Sequence, residues 1–185
     1  MAATTLQEHL WVAFRLARRE GQAVDEIANT QAAFWYSFQA ALITLPMMVI
    51  TVLLDYGGFP GALEMLAEVA LFVVGWLLFP VAMLEIAPAI DRMQFYCRYI
   101  AASNWCSVFE DGLLTLVVVL RALDVIPGAI GGLLFFAGVV WVFSYQFFVA
   151  RNALRIDAGV AAMIIGARLL LAIVLFIARG IIGGA

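Results

Sequence analysis

The chain has 185 residues, 66% of them hydrophobic and 12% charged, with a formal net charge of −3. A soluble domain is about half apolar and about a quarter charged, so the composition indicates a bilayer environment and a single membrane domain. It offers no basic face for nucleic acid, and the lone histidine, His9, excludes a multi-histidine metal site within one chain.

All ten basic residues are arginine, a bias that fits a GC-rich bacterial genome. Cys97 and Cys106 lack CxxC spacing and are expected to pack as free, small hydrophobes. No metal or cofactor is expected.

The first element is residues 5–21. At about 100° per residue, Leu6, Leu10, Ala13, Phe14 and Ala17 gather on one side. Glu8, Arg15 and Arg19 lie opposite, with Arg18 on the flank. Two placements fit: a helix lying in the membrane interface, or one packed on the ends of a bundle. The order of an amphipathic stretch before a full-length span is not that of a cleavable signal. Residues 1–30 are accordingly read as an N-terminal segment, and 31–185 as the transmembrane domain.

Five segments then reach the roughly 20 apolar residues of a spanning helix: about 32–54, 62–86, 98–123, 129–150 and 159–182. Pro46 and Pro80 fall inside the first two and are expected to kink them. DYGGFPG (55–61) and DVIPG (124–128) are turn clusters, while 87–97 and 151–157 are polar connections. The predicted fold is an all-α polytopic bundle of five transmembrane helices plus the N-terminal amphipathic helix. Ala158, Ala162 and Gly166, and Gly128 with Gly132, form small-residue stripes expected to pack against neighbouring helices. Trp76 and Trp141 fall mid-span and are expected to fill the core.

Arginine placement orients the bundle. Arg15, Arg18, Arg19, Arg92, Arg98, Arg151 and Arg155 fall at one end, against Arg121 and Arg179 at the other. The positive-inside rule then puts the N-terminus in the cytoplasm and the C-terminus outside, in a bacterial inner membrane.

The third segment carries adjacent acids, Glu110 and Asp111, and the fifth carries Arg168. At about 1.5 Å per residue, Glu110 lies roughly 18 Å and Arg168 roughly 17 Å from the arginine-rich end. Charges at that depth are costly unless paired or watered, so Arg168 is expected to pair with Glu110 or Asp111. One guanidinium leaves a surplus carboxyl. The cluster reads either as a structural clamp or as a proton, ion or anion site. Glu64 and Glu68 form a second acidic set near the opposite end, with Arg121 as the expected partner. Asn104, Ser103, Gln39, Ser144, Tyr145 and Gln146 are polar positions expected to bond across helices.

The layout, the RYIAASNW stretch (98–105) and the segments GVVWVFSYQFFVARNAL (138–154) and GVAAMIIGARLLL (159–171) resemble bacterial Yip1-like membrane proteins. The DLYGP-type motif of eukaryotic members is replaced by DEIANTQAA (25–33). The resemblance implies a non-enzymatic role in membrane organisation or as an accessory subunit. GxSxG, HExxH and P-loop motifs are absent, so no enzyme activity is expected. Two functions follow as expectations. One is a scaffold that binds other membrane proteins, a second copy or the bilayer. The other is a small transporter or channel using Glu110, Asp111 and Arg168.

Overall fold

The computed structural model describes residues 3–183, which form helices and contain no strand. α1 spans Leu6–Ala17, α2 Gln31–Ser37, α3 Gln39–Asp55, α4 Ala62–Ala89, α5 Tyr96–Ala122, α6 Gly128–Leu154 and α7 Ala158–Gly183. Four stretches are long and apolar enough to cross a membrane: Gln31–Asp55 (α2 and α3 together), α4, α6 and Ala158–Ile181 of α7. The expected count of five is not matched. At 27 residues α5 has the length, but Arg98, Asn104, Glu110, Asp111 and Arg121 lower its hydropathy.

α5 is the helix that the others enclose. It packs on α6, α3, α2 and α1, whereas α4 packs chiefly on α7 and barely touches α3 and α5. Every residue of α5 from 99 to 107 is buried, with Trp105, Tyr99 and Ile100 fully so, whereas Val117 is the one buried residue from 111 to 122. The molecule is therefore densely packed at the arginine-rich end and loosely packed at the other. Elsewhere the surface is apolar, as lipid contact requires: Leu63, Leu66, Phe136, Leu170 and Phe176 each expose more than 60% of their area.

The N-terminal segment belongs to the same core. A capping box opens α1: the Thr5 hydroxyl accepts the Glu8 backbone N–H, and the Glu8 carboxylate accepts the backbone N–H groups of Thr4 and Thr5. Those donors hold the Glu8 carboxyl below its usual value. A depressed carboxyl stabilises the fold above the unfolded-state range, and the contribution is lost as pH falls through the folded value. Amide protection in the first turn of α1 is thus expected to fall in acid before that of α5, as hydrogen exchange will show.

Beyond the cap, His9, Val12, Ala13 and Leu16 are buried against the bundle, while Leu6, Trp11 and Phe14 face outward. α1 packs on α5 and α6. The expected single apolar stripe is split, with Leu10 half-buried between the two sides. The arginines of this segment each find a partner. Arg15 pairs with Glu20 at 2.9 Å and Glu26 at 2.5 Å, Arg18 with Glu20 at 3.5 Å, and Arg19 donates to the Ser144 carbonyl and hydroxyl. Asp25 bridges Arg98 of α5 and Arg155 after α6. The Tyr145 hydroxyl donates to the Ala13 carbonyl at 2.5 Å. Tyr145→Phe is expected to cost about 1 kcal/mol and to speed proteolytic release of residues 1–30.

Two further expectations change. The small-residue stripes do not pack: a side chain added at Gly128, Gly132 or Gly166 meets open space, and Ala158 and Ala162 are exposed. The close approaches lie elsewhere: Gly131, one position from Gly132, receives the Arg121 stem, and Gly138 the Leu114 side chain. Residues 151–154 continue α6 instead of forming a loop, and α6 ends at Arg155 in a left-handed conformation. Trp76 and Trp141 do pack against the core, and Cys97 and Cys106 are free thiols.

Candidate functional site

Helical geometry separates the adjacent acids. Successive residues point about 100° apart, so Glu110 and Asp111 leave α5 in different directions. Glu110 shares a face with Ser103, seven residues earlier, and turns toward α6 and α7. Asp111 shares a face with Asn104, Ser107 and Thr115, and this stripe looks into a cleft beside α4.

On the first face the expected contact between Arg168 and a carboxylate is absent among the described residues. A glutamine stands between them. Arg168 Nη1 donates to Ser103 Oγ at 2.7 Å and to Gln146 Oε1 at 3.3 Å, and its guanidinium lies 4.7 Å from the Phe79 ring centre. Ser103 donates to Gln146 Oε1 at 3.0 Å, and Gln146 Nε2 donates to Glu110 Oε1 at 2.6 Å. The reason is directional. Side chains on a helix lean toward its N-terminus. Arg168 on α7 leans toward the arginine-rich end and reaches Ser103, a level below Glu110. Gln146 on the oppositely directed α6 leans the other way and reaches Glu110. Glu110 is 4% exposed and Gln146 fully buried, so this part of the network is sealed, while Arg168 is half-buried at the edge of the smaller cavity.

On the second face lie two adjoining cavities, of about 380 and 270 Å³. Both are lined by Phe72 and Asp111, so the carboxylate stands at their junction. The smaller cavity runs toward Asn104, Ser107 and Arg168. The larger runs between α3 and α4 toward the opposite end, past Thr44, Met47 and Thr51 of α3 and Leu114 and Thr115 of α5. Asp111 has no ion-pair partner among the described residues.

The far end of the larger cavity holds a second charge cluster. Arg179 Nε donates to both Glu68 carboxylate oxygens at 2.8 and 3.0 Å, and its Nη1 to Asp55 at 3.0 Å. The Tyr56 hydroxyl stands 3.5 Å from Glu68. Arg121 is therefore not the partner of Glu68. Because α4 packs on α7, Glu68 faces Arg179 across that contact, while Arg121 is held against α6 at Gly131. Glu64 is exposed in the first turn of α4 and stands apart from the cluster. Arg179 and Asp55 lay in the sequence as helix-end charges. Helix order alone left α4 free to pair with α5 or α7, so their role was hidden.

Ser103, Gln146 and Asn104 do bond across helices, as expected; Asn104 donates to Ser37 Oγ at 2.9 Å. Among the described residues no group of three histidine, cysteine or acidic side chains is placed to hold a metal. No protein-family model, curated protein or solved structure matches the chain.

Proposed function

We propose that the protein is a small, non-enzymatic, proton-coupled integral membrane carrier in which α5 forms a fifth crossing and Asp111 is the charged group that binds the proton or the solute. The observation that carries this reading is the position of Asp111: an acid without an ion-pair partner at the junction of two cavities, roughly 22 Å along a helix wrapped by apolar neighbours. A polar helix crosses a bilayer when other helices screen it from lipid, and intramembrane acids facing a cavity mark ion and substrate paths. The clustering of Arg98 and Arg155 on Asp25 at one end supports an inner-membrane orientation with that end cytoplasmic and the C-terminus outside.

A scaffold or accessory role is the second reading. The observation favouring it is the Glu110–Gln146–Ser103–Arg168 network within a fully packed half of the bundle, which has the character of a structural clamp. The Yip1-like resemblance sits with this reading and assigns no residue to the cleft.

Proton flux separates the two. Purified protein in vesicles holding trapped pyranine, with a potassium–valinomycin potential imposed, is expected to pass protons faster than protein-free vesicles. Asp111→Asn is expected to remove the excess. Wild-type flux no greater than that of empty vesicles rejects the carrier and leaves the scaffold.

A further inference from the structure

The carrier reading leaves its solute open, and the larger cavity has the chemistry to narrow it. Its wall is mostly apolar and soft. Met47 and Met48 offer flexible, polarisable thioethers, and Phe72 and Phe135 offer aromatic surface. The charged groups of the larger cavity have one bias. Asp111 stands at one end, and at the other Glu68 and Asp55 share the one guanidinium of Arg179. Arg179 is fully engaged with its two acids, and the Arg168 guanidinium is held by Ser103, Gln146 and the Phe79 ring. Asp111 is the group left to meet a ligand, and an anion entering the cavity meets surplus negative charge at both ends.

An inorganic cation is poorly served here. Calcium takes six to eight oxygen ligands and magnesium a tight octahedron, whereas this wall sets Asp111, the Arg179-bound Glu68 and scattered threonine hydroxyls among methionine, leucine and phenylalanine. An organic cation with an apolar body fits the Asp111 end of this wall. Its charge meets Asp111, its body lies on the thioethers, and its positive edge gains from the aromatic faces. The volume of about 380 Å³ is that of a small-molecule pocket. The cavity lies where α3 and α4 touch only slightly.

We propose that the α3–α4–α5 cavity binds an amphiphilic organic monocation, with Asp111 as its counter-ion and Phe72 and Phe135 as its aromatic contacts. This rests on the carrier reading for its physiological meaning, but its binding test stands apart from transport. The probes are tetraphenylphosphonium and tetraphenylborate, which share a shape and differ in charge. Titration calorimetry on the purified full chain in mild detergent is expected to show saturable binding of the phosphonium and none of the borate. Asp111→Asn is expected to weaken binding by more than about tenfold, which is about 1.4 kcal/mol, and Phe72→Ala by about threefold to tenfold. Asp111→Glu restores the charge and is expected to retain binding, which separates loss of the counter-ion from loss of the fold. Glu85→Gln, at an exposed position on α4, is expected to bind as wild type. Equal binding of both ions, or phosphonium binding that survives Asp111→Asn, overturns the proposal. Absent phosphonium binding alongside intact proton flux overturns the substrate class and leaves the carrier. Binding without phosphonium counterflow in vesicles supports the site, and the carrier itself is judged by the proton flux.

Discussion

Asp111→Asn is expected to reduce flux to the level of empty vesicles, while Glu110→Gln keeps a substantial fraction of it. The two acids are neighbours in sequence, so a role for the pair as a unit predicts equal effects. The geometry predicts unequal ones. Asp111 lines both cavities and has no ion-pair partner among the described residues. Its neutral amide keeps the volume and loses the carboxylate that both cavities share. Glu110 is enclosed and bonded to the Gln146 amide at 2.6 Å. In Glu110→Gln the new amide oxygen still accepts that bond, so the network closes with one charge fewer. Equal loss in both variants contradicts this division.

Gln146→Leu is expected to be the most destabilising single change in the bundle, at about 2–4 kcal/mol. The Gln146 side chain is fully buried and satisfies three others: its oxygen accepts from Ser103 and Arg168, and its nitrogen donates to Glu110. Leucine leaves the Glu110 carboxyl enclosed without a donor. A stranded buried group costs more than the net worth of the bond it made, whereas replacing both partners with apolar groups is far milder. Gln146→Leu combined with Glu110→Leu is therefore expected to be more stable than Gln146→Leu alone. Unfolding by SDS in mixed micelles gives the comparison. A double variant less stable than the single one contradicts the bridging role.

Much of this was legible in the chain, and the boundary has physical causes. Apolar length placed the helices, since DYGGFPG and DVIPG break the hydropathy where the backbone turns. Depth arithmetic brought Arg168 and the acids to nearly one level. It did not say that side chains on oppositely directed helices lean in opposite directions, which inserts Gln146 between Arg168 and Glu110. Neighbour choice was also hidden. Glu68 meets Arg179 because α4 packs on α7, and nothing in the spacing of Glu64, Glu68 and Arg121 encodes which helices adjoin. Small-residue spacing misled in the same way: Gly166 and Gly132 face open space, while Gly131, one residue along, receives Arg121. Neither carboxyl pairs with Arg168: Glu110 is bonded to Gln146, and the 100° step between adjacent residues sets Asp111 in the cleft.

One face of α5 lines a cleft and the next is buried against α6. Cysteine accessibility tests this most directly. In a background with Cys97→Ser and Cys106→Ser, single variants Ser107→Cys, Asp111→Cys and Thr115→Cys report the cleft face, and Gln146→Cys and Ser103→Cys the sealed one. With a small, charged, membrane-impermeant thiosulfonate on reconstituted protein, the cleft-face positions are expected to label and the sealed ones to resist. Labelling of Ser103→Cys and Gln146→Cys with protection of Asp111→Cys and Thr115→Cys would contradict the account.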